Sequence, residues 1–255
     1  MKITRTIAET RAVLGRADDV GLVPTMGAYH AGHLSLFTAA REENDLVIAS
    51  LFVNPAQFGD PADLARYPRN EAADAAIAEE AGVDVLFTPP VETMYPPGYE
   101  TWVDVEKASR GLEGDHRPGH FRAVATVCLK LFNIVRPRRA YFGQKDAQQI
   151  EVLRRMIRDL DLEVELRVVP TVRDDDGLAL SSRNVLLSPG ERASALALPR
   201  ALATRDPEGA RELLDGLEVE YLEVAPFDPP VLAAAVRVGS VRLIDNVPLD
   251  EGGSP

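Results

Sequence analysis

"VGLVPTMGAYHAGHLSLFTAAREEN", residues 20–44, decides the fold. Val20, Leu22 and Val23 make a short apolar run with no wet face, Pro24 to Gly27 form a turn, and a helix pattern opens at about residue 31. Strand, Gly-turn and helix start coincide there. The same alternation continues outward through "DLVIASLFV" (45–53), "NEAADAAIAEEAG" (70–82) and "VDVLFTP" (83–89). It runs on through a long helix over about 119–135 ended by Pro137, "RAYFG" (139–143), a helix over 146–159 and "VELRVVP" (164–170). Strands buried on both faces and separated by helices predict an α/β fold, a Rossmann-like parallel sheet with helices on both sides. The start, "MKITRTIAETRAVLG", reads as an amphipathic helix. After Pro170 the pattern changes: a turn-rich "RDDDG", a helix from "SPGERASALAL", then "VEYLEVA", "VLAAAVRV" and "VRLIDNV" with no helices between. These predict a small C-terminal α+β domain, 172–255, after a Rossmann-like domain, 1–171. The tail "DEGGSP" reads as frayed.

Composition narrows the class. With 45% hydrophobic and 27% charged residues, and no apolar run near the ~20 residues of a membrane span, the chain is expected to be soluble, with no membrane partner. Its start lacks the apolar core of a signal peptide, so a cytoplasmic location is expected. Lys and Arg number 28 against 40 Asp and Glu, a formal charge of −12, which opposes a broad nucleic-acid-binding face. An anionic ligand must therefore meet a local positive field, and "RPGHFR", "RPRRAYFGQK" and "SSR" are where basic residues gather. The one cysteine, Cys128, lies in the apolar "AVATVCLKLFNIV" and is expected to pack in the core.

In a doubly wound sheet, ligands bind beyond the carboxyl ends of the strands, where "TMGAYHAGH" falls. Gly27 and Gly32 let backbone turn tightly and approach a phosphate, and the helix start offers N–H groups and the positive end of its dipole. His30 and His33, three apart, sit almost one turn from each other, so both rings can address one anion. No third ligand follows at a zinc-site spacing, and capping or surface roles remain the plain alternative.

"PTMGAYHAGH" resembles the pantothenate synthetase (pantoate–beta-alanine ligase) form of the H-x-G-H signature of the nucleotidylyltransferase superfamily. Three further blocks carry the resemblance: "SLFVNPAQFGDPADLARYPR", "RPGHFRAVATVCLKLFNIVRPRRAYFGQKDAQQ", with His116 and His120 before the long helix, and "VVPTVRDDDGLALSSRN". It extends to "EYLEV" and "RLIDNV" near the end. Uncharged amides suit hydroxyl and carboxylate recognition, Lys places a mobile ammonium on phosphate, and Ser with Arg grips a triphosphate.

The resemblance implies an ATP site from Met26, Gly27, Ala28, Tyr29, His30, Ala31, Gly32 and His33, from Gly143, Gln144, Lys145 and Asp146, and from Val172, Leu180, Ser181, Ser182 and Arg183. It implies pantoate contacts from Met26, Gln57 and Gln149, β-alanine contacts from Asn54 and Gln57, and His30, His33 and Lys145 as catalytic groups. It further implies Mg²⁺ with ATP, a homodimer, nucleotide and pantoate binding by the domain 1–171, and a lid role for the C-terminal domain 172–255. Tyr29 for leucine, Ala147 for tyrosine and Leu180 for methionine depart from the family's usual residues without removing a polar catalytic group. Ala73 stands where an acid near the metal is common, leaving Asp74 as the candidate ligand. The implied reaction condenses pantoate with β-alanine through a pantoyl adenylate. Another H-x-G-H nucleotidylyltransferase, or a non-catalytic ATP-binding relative, are the alternatives.

Overall fold

A computed structural model describes residues 1–249, so the tail expected to fray lies outside the described residues. Two compact units make up the chain. The first comprises residues 1–142 and 152–169, the second 143–151 and 170 onward, and the chain passes between them inside helix Ala147–Asp159.

In the first unit the elements run β1 (Lys2–Thr4), α1 (Ile7–Leu14), β2 (Val20–Thr25), α2 (Ala31–Glu43), β3 (Leu46–Leu51), α3 (Pro61–Arg66), α4 (Glu71–Glu80) and β4 (Val85–Phe87). They continue through α5 (Val91–Met94), α6 (Leu112–His116), α7 (His120–Val135), β5 (Arg139–Gly143), α8 (Ala147–Asp159) and β6 (Glu165–Val169). The sheet order is β1-β4-β3-β2-β5-β6. From β2 the order departs one way through β3 and β4 and the other through β5, so the carboxyl end of β2 lies at the switch point where such sheets bind ligands.

The apolar strands behave as two-sided burial requires. Val20, Leu22, Val23, Val47, Ile48 and Ala49 are all essentially inaccessible to water. On one side Phe37 and Ala40 of α2 and Ala78 of α4 close over Val23, Val47 and Leu86. Helix α7 is buried along most of its length, Cys128 included, and stops where Arg136 turns left-handed before Pro137. No helix of the described residues is long and apolar enough to cross a membrane.

Residues 1–15 differ from the single helix expected. Lys2–Thr4 adds a parallel edge strand against Val85–Phe87, too short to show a period, and the helix begins only after Thr6, whose hydroxyl and Glu9 form a reciprocal capping box.

The second unit holds α9 (Pro189–Ala195), α10 (Ala197–Ala203), α11 (Pro207–Leu213) and an antiparallel sheet of β7 (Glu218–Ala225), β8 (Val231–Val238) and β9 (Val241–Pro248), in the order β7-β8-β9. The helix expected from residue 188 is broken at Leu196, because Pro199 cannot donate to the carbonyl of Ala195 and its ring crowds it. Leu198, Leu202 and Leu214 pack with Leu222, Leu232, Val236 and Leu243 as this unit's core. Residues 143–151, placed with the first domain on sequence, group with this unit.

Candidate active site

The loop leaving β2 is built by backbone conformations that few residues accept. Gly27 has φ +86° and Ala28 φ +55°. At Gly27 a Cβ would lie 2.5 Å from Leu51 Cδ1 and 2.7 Å from Asp74 Oδ2, so glycine is required for space as well as for angle. The left-handed turn at Ala28 costs about 1 kcal/mol and is held by Asp74. That buried carboxylate, on α4, accepts the N–H of Ala28 on Oδ2 at 3.0 Å and of Tyr29 on Oδ1 at 2.9 Å.

Asp74, the candidate metal ligand, gives one lone pair of each carboxylate oxygen to a loop amide, and Ala73 beside it has no side-chain oxygen. Among the described residues no three His, Cys, Asp or Glu side chains gather to hold an ion. The two amide contacts make Asp74 an anchor for the loop.

Beyond Asp74 the loop enters α2. Tyr29, buried, packs edge-on against Phe37 with ring centres 5.1 Å apart and lies 5.2 Å from the His33 ring. Thr25 spends its one hydroxyl proton on the Ser50 carbonyl at 2.6 Å, so it accepts from the Tyr29 hydroxyl at 3.1 Å. Burial raises the Tyr29 phenol well above its ordinary pKa. The tyrosine that replaces the family's usual leucine thus keeps the packing and adds one tether.

His30 caps α2: its Nδ1 accepts the Gly32 N–H at 3.1 Å. His33 Nδ1 accepts the His30 N–H at 3.3 Å. A neutral imidazole that accepts at Nδ1 carries its proton at Nε2, so each ring has Nε2–H as its donor. The ring centres are 4.3 Å apart. Two N–H donors and a helix N-terminus therefore share one place.

After β3, Asn54 caps a single 3₁₀ turn, Pro55–Gln57. Its Oδ1 accepts the Ala56 N–H, and its Nδ2 donates to Gln57 Oε1 at 2.9 Å and to the Ala123 carbonyl at 3.4 Å. Only 1% of Asn54 is exposed, and its amide serves as scaffold for this turn. The consequence falls on Gln57: Asn54 fixes which way its amide points, leaving both Nε2 hydrogens and one Oε1 lone pair for a ligand. His120 Nδ1, 3.3 Å from the Gln57 carbonyl, holds the same turn from α7. "RPGHF" is the only signal that the sequence carries for this role of His120.

In the second unit, β5 ends at Gly143 and the 3₁₀ turn Gln144–Asp146 carries Lys145 into α8, where Gln149 lies near the start. Among the described residues the Lys145 ammonium meets no hydrogen-bond or ion-pair partner. Val172 and Leu180 face each other across a tight hairpin, Leu180 N–H donating to the Val172 carbonyl at 3.0 Å, with Arg173 and Ala179 bridged between them. Gly177, at φ +90°, makes its corner, and Arg192 of α9 holds Asp174 and Asp176 at 2.6 and 2.8 Å. The return arm delivers Ser181, Ser182 and Arg183, with Ser181 Oγ accepting the Arg183 N–H. Residues 26–33, 54, 57 and 74 thus belong to the first unit, and residues 143–146, 149, 172 and 180–183 to the second.

A pantoate-beta-alanine ligase family model matches residues 2–248. The chain belongs to the pantoate-beta-alanine ligase family. It is 50% identical to the pantothenate synthetase of Chloroflexus aggregans, over 96% of this chain and 99% of that one. Among solved structures, pantothenate synthetase from Thermus thermophilus superposes with a TM-score of 0.93 at 47% identity, covering 97% of this chain and 99% of the other. The pantoate-beta-alanine ligase of Francisella tularensis, solved with beta-gamma ATP and beta-alanine, gives a TM-score of 0.87 at 34% identity, with 97% of each chain covered.

Proposed function

We propose that this chain condenses pantoate with β-alanine, converting ATP to AMP and pyrophosphate. A carboxylate resists an amine because its leaving group would be oxide, so it must first be activated. In the first step a pantoate carboxylate oxygen bonds to the α-phosphorus of ATP and pyrophosphate leaves. In the second the free amine of β-alanine bonds to the acyl carbon, AMP leaves with the activating oxygen, and the amine gives up a proton.

The observation that carries this reading is two Nε2–H donors at a helix start, in the same unit as a glutamine amide oriented by Asn54. The imidazoles of His30 and His33 suit charge that grows on the phosphate in the transition state. Gln57 presents N–H groups suited to an organic acid, which a nucleotidylyltransferase acting on a phosphate acceptor does not require. Lys145, Ser181, Ser182 and Arg183 are assigned to the triphosphate. Met26 and Gln149 are assigned to pantoate, and Gln57 to β-alanine as well. The backbone of residues 26–33, 143–146, 172 and 180 is assigned to ATP. The Francisella relative solved with an ATP species and β-alanine supports this choice of substrates. Mg²⁺ enters as the counter-ion of ATP, and no step is assigned to it. The family resemblance supports a homodimer working in the cytoplasm; sedimentation of the purified chain tests the first.

The test is AMP release with pantoate and β-alanine omitted in turn. Both omissions should reduce AMP to background under multiple turnover. AMP release that ignores pantoate would refute the reading.

A further inference from the structure

We propose that Asn246 is a positioning residue for adenylate formation, holding the backbone of the turn that carries Lys145, while its neighbour Asp245 holds the hairpin that leads to Ser181–Arg183. The inference rests on the triphosphate role given to Lys145 above and explains the late "LIDN" stretch, to which no chemistry was assigned.

Asp245 and Asn246 are consecutive on β9, so their side chains point to opposite faces of the sheet. Asp245 is registered opposite Ala234, whose side chain belongs to the helix-covered core, and Asn246 opposite Ala233. One strand therefore reaches two segments, one from each face.

On one face the Asn246 Nδ2 donates to the carbonyls of Gln144 at 3.0 Å and of Lys145 at 2.8 Å, and its Oδ1 accepts from Gln144 Nε2 at 3.1 Å. Both amide hydrogens are used on the turn itself. A lysine side chain has four rotatable bonds and cannot fix its own ammonium; what a fold can fix is the backbone it starts from. With the Lys145 ammonium unpartnered, this clamp sets the region the ammonium can search.

On the other face the Asp245 carboxylate, 1% exposed, requires a partner, and Arg173 supplies a two-pronged one at 2.6 and 3.1 Å. Arg173 also donates to the Gly177 carbonyl at 3.2 Å, closing the hairpin from within. The edge strand thereby makes the Lys145 turn and the Ser181–Arg183 arm parts of one body.

The test is a double-mutant cycle of Asn246→Ala and Lys145→Ala in the full-length enzyme, read as pantoate-dependent ATP–pyrophosphate exchange, with KM for ATP and for pantoate and the melting temperature recorded. In the wild-type background Asn246→Ala should cost about ten- to thirtyfold in exchange at saturating pantoate, the size expected for two lost buried hydrogen bonds, with pantoate KM held within about twofold. In the Lys145→Ala background the same change should cost less than about twofold, because the group it positions is gone. An equal loss in both backgrounds would mean a general structural role and would overturn the proposal, as would full exchange by Asn246→Ala. If Asn246→Ala does not fold, Asn246→Asp, which has nearly the same volume and keeps the acceptor for Gln144 but loses both donors, runs the same cycle. A silent Lys145→Ala would instead refute the role of Lys145, and the inference with it.

Discussion

Replacing Asp74 by asparagine tests the loop that presents the histidines. The buried carboxylate takes two N–H groups, at 3.0 and 2.9 Å, and each hydrogen bond to a charged acceptor contributes about 1.5–3 kcal/mol. Asparagine keeps one acceptor and turns its own N–H₂ toward the second amide, so one bond is lost and two donors face each other. The strain at Ala28, about 1 kcal/mol, then has less to oppose it. The expected loss is about 2–3 kcal/mol, which for a protein of this size lowers the melting temperature by about 5–10 °C. Displacing His30 and His33 by about an ångström should cost about 10² in pantoate-dependent ATP–pyrophosphate exchange. Ala28→Gly added to Asp74→Asn relieves the backbone strain and should restore part of both losses. Wild-type melting and exchange in Asp74→Asn would refute the anchor. Recovery of its exchange by raised Mg²⁺ would refute it differently, since it would make Asp74 a metal ligand after all.

Three further outcomes follow from the same geometry. Arg173→Met leaves the Asp245 carboxylate buried without its partner and should cost about 3 kcal/mol in urea unfolding, more than Asp245→Asn, which removes the charge along with the bond. Asn54→Ala releases the Gln57 amide to rotate and should lower kcat/KM for pantoate or β-alanine about tenfold with KM for ATP unchanged; a change confined to ATP would contradict the scaffold role. Burial pushes the Cys128 thiol from 9.0 up to about 12. The fold favours the neutral thiol, so its contribution to stability is complete below about pH 9 and declines as pH rises toward 12. Alkylation of the folded protein at about pH 8 should therefore be slow and track unfolding; rapid labelling would show that the thiol is not buried.

The parts of this molecule that sequence exposes are those whose signal is local. The run from Val20 to Glu43 shows a strand, a glycine turn and a capped helix in direct succession, and its neighbours repeat the strand–helix alternation that a parallel sheet needs. What sequence does not show is long-range pairing. Asp74 looks like any acid in a helix's first turn until the fold brings it to Ala28, 46 positions away. Asn246 looks like a strand residue until it meets Gln144, 102 positions back. Asn54 has the residue type of a ligand contact, and only the fold reveals that its amide holds Gln57 and the Ala123 carbonyl. The grouping of residues 143–151 with the second unit was illegible for the same reason, since sequence neighbours on both sides belong to the first.

The most direct test of the account is exchange of labelled pyrophosphate into ATP with pantoate present and β-alanine absent. The account requires exchange under those conditions and none when pantoate is withheld, because the acyl adenylate forms before the amine takes part. Exchange that persists without pantoate, or that appears only once β-alanine is added, would contradict it.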